Sequence, residues 1–300
     1  MEPVATDKPL QPLQLVECPR DAMQGWKNLI PAAKKIDYLN ALLRVGFDTL
    51  DFGSFVSPRA IPQMADTAEV VSKLKIPSDG DGRSTRLLAI IANERGAEEA
   101  AAFDQISDLG FPFSVSGVFQ QRNTNSSIEE SLKRVEKIQA ICSRKNKRLV
   151  IYISMAFGNT YNDPWSPEIV FGWVGKLIRI ADIRVISLAD TVGLALPDQV
   201  FEMTDYLIKA LPGRTVGVHL HSRPDGWKAK IEAALRAGCS RFDGALKGIG
   251  GCPMAGDELV GNMDSLLLID YFKKRRLLTP LNEEALSESL ALAADIFLND

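Results

Sequence analysis

Residues 127–155 read SIEESLKRVEKIQAICSRKNKRLVIYISM, a helical pattern followed closely by a strand pattern. Ser127 and Glu130 have the spacing of a capping box, which predicts that a helix begins at this point. Apolar side chains then recur every three or four residues as far as Cys142, as they do on the buried face of a helix. The run from Arg148 to Met155 is rich in β-branched residues and predicts a strand. The stretch is therefore typical of a chain in which strands and helices alternate.

The same alternation recurs along the chain from Leu13 onward, and we count eight strand-helix units. No Pro-, Ser- or Gly-rich linker longer than a loop separates them. Eight units in about 250 residues match a closed (β/α)8 TIM barrel, whereas a doubly wound sheet usually has fewer strands and a Gly-rich first turn. We therefore predict an α/β chain with one barrel domain over residues 1–300. The predicted strands cover residues 15–18, 49–55, 86–92, 113–119, 148–155, 184–189, 215–221 and 241–246.

Two segments flank the predicted barrel. Residues 1–14 are polar and lack the patterns of a secretory signal and of a transit peptide, so we expect a loosely ordered leader. Residues 283–298 predict an extra C-terminal helix, with Leu286, Leu290, Ala294 and Phe297 on one stripe. We expect that this helix packs back on the barrel.

Composition excludes several classes of partner. The chain has 35 Lys and Arg against 38 Asp and Glu and no basic stretch with interleaved aromatics, so we expect no nucleic-acid partner. Its apolar runs are far shorter than the roughly 20 residues of a membrane-spanning helix, so we expect no membrane partner. The cysteines form no C-x-x-C pair, which argues against a zinc or disulfide framework and favours the reducing cytoplasm. These cysteines are Cys18, Cys142, Cys239 and Cys252.

The chain contains only two histidines, His219 and His221, at the end of the predicted seventh strand. Strand alternation sends both imidazoles to the same face, and in a barrel the C-terminal ends of the strands form the active-site mouth. Two core or surface histidines without a function are the alternative, but the strand-end position favours a metal site. The lack of cysteine ligands favours a hard cation such as Mg²⁺ or Mn²⁺.

Acidic and basic residues follow other predicted strands. Arg20 and Asp21 follow the first strand, close enough in a barrel for Asp21 to reach a cation held by the histidines, although a capping Asp and a surface Arg are the simpler alternative. Asp51 and Asp190 lie at the ends of strands two and six, where each could transfer a proton, position a ligand or hydrogen-bond a loop. Lys247 would suit a Schiff-base aldolase, which the metal cluster makes a minor alternative.

The Gly-rich stretch at residues 248–262 follows the eighth predicted strand. Its glycines permit tight backbone paths, so it is a candidate lid, with a phosphate cradle or an ordinary flexible loop as alternatives. Cys252, which we place at the tip of this loop, would suit acid-base chemistry only if a positive charge or a metal lowers its pKa.

Six blocks of the sequence resemble, in the same order, the motifs of 3-hydroxy-3-methylglutaryl-CoA (HMG-CoA) lyases. They are PRDAMQ at 19–24, SFVSPR at 54–59 with PQM at 62–64, RNTN at 122–125, SLADTVG at 187–193, HLH at 219–221 and GGCP at 250–253. The resemblance runs from about Leu15 to beyond Asn262. It also places the chain among the metal-dependent lyases and Claisen-type synthases that share the TIM barrel.

By this resemblance, the metal ligands are Asp21, His219, His221 and Asn262. It further implies that Arg20 stabilises the departing enolate, that Cys252 takes part in proton transfer and that Asp190 moves the hydroxyl proton. A Mg²⁺ or Mn²⁺ cofactor, an acyl-CoA substrate and often a homodimer are also implied. The implied reaction is the cleavage of HMG-CoA into acetyl-CoA and acetoacetate, as in leucine degradation.

The chain departs from this family pattern at three places. Asp51 stands where the family has Glu, Ser222 stands where it has Asp, and the loop between Cys252 and Asn262 is one residue longer than in the family. Such changes can shift the orientation of metal ligands or the acyl specificity.

Two alternatives to this lyase remain. A Claisen-type condensing enzyme such as isopropylmalate or citramalate synthase, or a lyase for a related 3-hydroxyacyl-CoA, would use similar residues, although the GGCP loop favours the lyase. A barrel that binds acyl-CoA without catalysis is less consistent with the retained Arg20, Asp21 and histidines.

Overall fold

The computed structural model of the protein describes residues 13–77, 84–223, 225–251 and 260–297. Eight parallel strands form a closed barrel, in which the first strand pairs with the eighth. The predicted (β/α)8 fold is therefore confirmed. The strands are β1 (Gln14–Glu17), β2 (Thr49–Ser54), β3 (Arg86–Ile90), β4 (Ile106–Ser114), β5 (Arg148–Ser154), β6 (Val185–Ala189), β7 (Thr215–His219) and β8 (Arg241–Gly244).

Helices surround the barrel, and short 3-10 turns at Pro62–Met64 and Leu246–Gly248 follow β2 and β8. None of the described helices combines the length and the apolar composition that crossing a bilayer requires. The helices are α1 (Pro19–Gln24), α2 (Ala32–Val45), α3 (Thr67–Ser72), α4 (Glu94–Ala101), α5 (Gly117–Thr124), α6 (Ile128–Arg144), α7 (Pro167–Ile180), α8 (Pro197–Ala210), α9 (Trp227–Arg236), α10 (Ser265–Lys274) and α11 (Glu283–Phe297).

The start of α6 has the predicted capping box. The Ser127 hydroxyl accepts the N–H of Glu130 at 3.1 Å, and the Glu130 carboxylate accepts the N–H of Ser127 at 2.8 Å. Two of the N–H donors that a helix start leaves unpaired are thereby satisfied. Val135, Ile138 and Cys142 are buried on the face that lies against β4 and β5.

The predicted position of the fourth strand was wrong. β4 ends at Ser114, and α5 begins inside the range 113–119 that had been expected to form the strand. Ser116 determines this boundary because its hydroxyl accepts the N–H of Phe119 at 3.1 Å and so caps α5.

β4 was missed because it contains Asp108, Gly110 and Pro112, residue types that strands usually avoid. Contacts with neighbouring strands make Asp108 and Gly110 compatible with a strand. The fully buried Asp108 carboxylate accepts hydrogen bonds from Arg86 and Arg148. A side chain at Gly110 would place its Cβ 2.6 Å from the terminal methyl group of Ile90, so that side chain would have to shift to admit any residue other than glycine.

The C-terminal helix packs back on the body of the protein, as predicted. α11 contacts α2, and the Phe297 ring makes edge contacts with Trp26 and Tyr38, with centroids 5.2 and 6.4 Å apart. Most of the predicted leader, residues 1–12, lies outside the described residues.

Candidate active site

A cavity of about 460 Å³ opens at the C-terminal ends of the strands. Its wall includes the last residues of several strands, so it occupies the mouth at which barrel enzymes hold their active sites. Arg20, Asp21, His219 and His221, all singled out in the sequence, line it.

Asp21, His219 and His221 form a cluster whose candidate ligand atoms all lie within 4.8 Å of one another. His219 is the last residue of β7, and His221 is held two residues later by an antiparallel bridge to Asn262. The Nε2 atoms of the two imidazoles are 3.3 Å apart. Asp21 lies in the first turn of α1, which directly follows β1. The structure thus brings together three of the four residues that were predicted as metal ligands.

The hydrogen bonds of the histidines show whether this cluster fits a cation. His221 Nδ1 lies 2.8 Å from the carbonyl oxygen of Val260, which can only accept, so Nδ1 carries the hydrogen and Nε2 of the neutral ring carries a lone pair. His219 Nδ1 likewise faces the Asp243 carboxylate at 3.2 Å. When both rings are neutral, two lone pairs face each other across 3.3 Å, an arrangement that a cation between them would stabilise.

Asn262 contacts this cluster through its side-chain amide and carries a buried oxygen beside it. Its Nδ2 donates to Asp21 at 2.8 Å and to the Ile249 carbonyl at 2.9 Å, which leaves the side-chain oxygen for another partner. That oxygen is buried and has no hydrogen-bond partner among the described residues. A buried acceptor without a donor is unfavourable, and a divalent cation would satisfy it.

The charges around Asp21 keep its carboxylate ionised, which is the form that binds a cation. Burial raises the pKa of Asp21, but the positive charge of Arg20, together with that of the imidazoles once they are protonated at low pH, outweighs this effect and lowers the pKa to about 2. Arg20 Nη1 and Gln24 Nε2 each donate to its carboxylate at 2.8 Å. Asp21 is therefore a held, ionised carboxylate at neutral pH.

Arg20 is fixed by a second carboxylate. Its Nε donates to Asp51 at 3.1 Å and its Nη2 donates to the same carboxylate at 2.5 Å. Asp51 is 1% exposed and is not among the described residues that line the cavity. The structure thus places Asp51 behind Arg20, where it orients the guanidinium and does not face the cavity itself.

Asp190 also lies behind the cavity wall. One of its oxygens accepts the N–H of Ala195 at 2.9 Å, and the other accepts from Lys230 Nζ at 2.7 Å. Lys230 Nζ also donates to the carbonyl of His221 at 2.8 Å. Asp190 is not among the described residues that line the cavity. The sequence left open whether Asp190 transfers a proton, positions a ligand or hydrogen-bonds a loop. This arrangement favours the hydrogen bonding of a loop.

We expect that Lys230→Met lowers the free energy of unfolding by about 3–5 kcal/mol, because it leaves the buried Asp190 carboxylate without its cation. Urea denaturation measures this change. Lys228→Met, on the exposed side of the same helix, is the matched control and should cost no more than about 1 kcal/mol, since its ion pair with Glu232 is exposed. Equal stability of the two variants would contradict the assignment. The double variant Lys230→Met/Asp190→Asn should recover part of the loss.

Lys247 does not face the barrel mouth. It lines a separate cavity of about 340 Å³, together with Arg223 and Trp227, and it is not among the described residues of the mouth. This placement removes the support for a Schiff-base aldolase.

The Gly-rich loop reaches the ligand cluster through its first residues. The N–H of Gly251 donates to Asp21 at 3.3 Å. Gly250 has φ +115°, and a Cβ there would lie 2.5 Å from Asn262 Nδ2, so the close approach requires glycine. Cys252 and the following residues up to 259 lie outside the described residues. Ser222, which replaces an expected Asp, donates its hydroxyl to the adjacent Arg223 carbonyl at 2.8 Å.

Comparison with known proteins agrees with this fold. A family model described as HMGL-like matches residues 14–292. The cytoplasmic 3-hydroxy-3-methylglutaryl-CoA lyase of Rattus norvegicus is 33% identical over 238 residues, which cover 79% of this chain and 67% of that protein. The (R)-citramalyl-CoA lyase of Chloroflexus aurantiacus is 31% identical over 259 residues, which cover 85% of this chain and 81% of that protein.

Solved structures show the same relationship. An HMG-CoA lyase from Acinetobacter baumannii, in complex with coenzyme A and 3-methylmalate, superposes with a TM-score of 0.85 at 29% identity, covering 94% of this chain and 90% of that one. The HMG-CoA lyase of Bacillus subtilis gives a TM-score of 0.86 at 27% identity, covering 95% and 94%. The chain therefore belongs to the HMGL-like family and is a carbon-carbon lyase.

Proposed function

We propose that the protein is a divalent-metal-dependent lyase that cleaves HMG-CoA into acetyl-CoA and acetoacetate. The observation that carries the proposal is the pair of imidazole Nε2 atoms that face each other at 3.3 Å beside the ionised Asp21. With the amide oxygen of Asn262, the cluster offers mixed nitrogen and oxygen ligands, which suit Mg²⁺ or Mn²⁺. A cytoplasmic location and a homodimer stay predictions from the sequence.

The chain's own residues would hold and polarise the substrate. A divalent cation bound by Asp21, His219, His221 and Asn262 would supply Lewis acidity that lowers the pKa of the substrate hydroxyl. Arg20 lines the same cavity and offers a fixed positive charge to the thioester oxygen, on which negative charge grows as the carbon-carbon bond breaks. Asp51 and Asp21 hold the guanidinium in place, so little reorganisation is needed during the reaction.

Proton transfer completes the proposed reaction. The hydroxyl proton passes to a water molecule in the open cavity as the new ketone forms, and the enolate of acetyl-CoA then takes up a proton. We assign no proton transfer to Asp190, because both of its oxygens are bonded within the protein. Cys252 stays the proposed proton donor to the enolate, as the family resemblance implies.

The rest of the cavity suits a CoA thioester. Arg122 and Arg134 line it on the side of α5 and α6, where two guanidinium groups can meet the phosphates of CoA. The Arg122 guanidinium is held 4.8 Å from the ring centre of Tyr161. Arg134 Nη1 donates to the Thr124 carbonyl at 3.0 Å.

A lyase for citramalyl-CoA is the second candidate, because a citramalyl-CoA lyase matches 85% of this chain. We expect that the protein with Mg²⁺ converts HMG-CoA to acetoacetate and that an excess of EDTA stops the reaction. The two CoA thioesters are supplied in parallel, with acetoacetate and pyruvate as the measured products. Acetoacetate formation that EDTA leaves unchanged would contradict the metal requirement, and pyruvate without acetoacetate would favour the second candidate.

A further inference from the structure

Arg241 is an arginine buried inside the barrel. It is 1% exposed and, because strand residues two apart point to the same side, it shares the inner face of β8 with Asp243. Gly217 on the neighbouring β7 makes room for it, since a Cβ there would lie 3.1 Å from the Arg241 side chain. An arginine in this position must be held by acceptors, because burying an unpaired charge is very unfavourable.

The two groups that accept hydrogen bonds from Arg241 both lie beside His219 of the candidate active site. Its Nη1 donates to Asp243 at 2.9 Å, and its Nη2 donates to the hydroxyl of Tyr152 at 3.2 Å. Tyr152 lines the cavity and packs its ring edge-on against His219, with the ring centres 5.8 Å apart. A single buried guanidinium therefore contacts two groups that adjoin the same imidazole.

Asp243 connects Arg241 to the ligand histidine. One of its oxygens accepts from Arg241, and the other lies 3.2 Å from His219 Nδ1. The ionised carboxylate can only accept, so the hydrogen of the neutral His219 ring lies on Nδ1 and its lone pair on Nε2. Without Arg241, the fully buried Asp243 would lose its charge partner and its fixed orientation.

A second cation site is the competing explanation of this cluster. Candidate ligand atoms of Cys18, His219 and Asp243 also lie within 4.8 Å of one another. Arg241 argues against that explanation, because its guanidinium already neutralises the Asp243 carboxylate at 2.9 Å. The carboxylate is thus left to orient the imidazole.

We propose that Arg241 is a positioning residue, which acts through Asp243 to keep His219 in the Nδ1–H tautomer with Nε2 directed at the cation. The inference rests on the proposed metal site. Its direct test does not, because the tautomer can be measured in the metal-free protein.

The chain has only two histidines, so ¹⁵N-imidazole NMR observes this site without overlap. At a pH well above the ordinary imidazole pKa of about 6.5, wild-type His219 should show the Nδ1–H pattern. A His221→Gln variant assigns the two signals. Asp243→Asn, whose side chain can accept or donate, should give a mixture of tautomers. Arg241→Met should also give a mixture of tautomers, because Asp243 then loses the fixed orientation in which it accepts from Nδ1, and Arg241→Lys should restore the wild-type pattern in part.

Mn²⁺ affinity, measured by electron paramagnetic resonance, is the second readout. We expect that Asp243→Asn and Arg241→Met each weaken Mn²⁺ binding by about 10–100-fold, as for other residues that orient a metal ligand. Arg148→Met is the matched control, because it also removes an arginine from a fully buried aspartate, Asp108. It should lower Tm but leave the tautomer and the Mn²⁺ affinity unchanged.

Three results would overturn the proposal. The first is an Nε2–H tautomer of His219 in the wild type. The second is an Arg241→Met protein that loses Tm like Arg148→Met but keeps the wild-type tautomer and Mn²⁺ affinity. The third applies if Arg241→Met does not fold: it is an unchanged His219 tautomer pattern in both Arg241→Lys and Asp243→Asn. A wild type with the Nδ1–H tautomer that binds no Mn²⁺ would instead count against the proposed function.

Discussion

Replacing Arg20 with glutamine is expected to lower kcat on HMG-CoA by about 10²–10³-fold, as loss of one oxyanion-stabilising donor does in other enzymes. The guanidinium lines the cavity, and two buried carboxylates, Asp21 and Asp51, hold it there. Its positive charge stabilises the negative charge that grows as the thioester oxygen becomes an enolate oxygen. We therefore expect similar losses in kcat and in kcat/KM, measured by steady-state kinetics at saturating Mg²⁺.

Two further variants make this test specific. Arg20→Lys keeps a charge but cannot reproduce the planar fork that reaches both carboxylates, so it should recover only part of the rate. Arg95→Gln removes an exposed arginine of α4, paired at 3.5 Å with Glu99, and should have no effect. A glutamine variant with wild-type kcat, or one that changes KM alone, would remove Arg20 from the chemical step.

Replacing Asp21 with asparagine is expected to abolish turnover and to weaken Mn²⁺ binding by more than about 100-fold. Residues that only orient a metal ligand contribute roughly 10–100-fold, and a charged ligand should contribute more. The pKa of Asp21, about 2, means that the full negative charge is lost in the variant at any working pH. Calorimetry with Mn²⁺ and the acetoacetate assay measure the two effects.

Asp205→Asn is the control for this variant, because its carboxylate pairs with Lys209 on an external helix turn. It should bind Mn²⁺ and turn over like the wild type. If Asp21→Asn keeps wild-type Mn²⁺ affinity and loses only activity, Asp21 is not a ligand of the cation. Wild-type activity in Asp21→Asn would contradict the whole site.

The ligand cluster could be predicted because local rules determine it. Strand alternation brings His219 and His221 to one side, and the topology of the barrel brings Asp21 to the same mouth. The hydrogen-bond partners that surround this cluster could not be predicted in this way. Lys230 reaches Asp190 from 40 positions along the chain and looks like a solvent-exposed helix residue in the sequence.

Arg241 and β4 were missed for a related reason. An arginine at the start of a strand usually lies on the surface, and only the close Gly217 and the acceptors Asp243 and Tyr152 make its burial favourable. In β4, Asp108 is compatible with a strand only because of arginines on the two neighbouring strands. Such compensation depends on tertiary neighbours, which a residue pattern does not reveal.

The pairing of β1 with β8 has a consequence for how the protein matures. Asp21 follows the first strand and Asn262 follows the last, so the cluster spans the seam at which the sheet closes on itself. A nascent chain that has not yet reached Asn262 would have no complete set of ligands. We expect that Mn²⁺ uptake during refolding lags behind the appearance of helical structure. Its rate then reports when β1 pairs with β8, the contact between the strands that are farthest apart in the sequence.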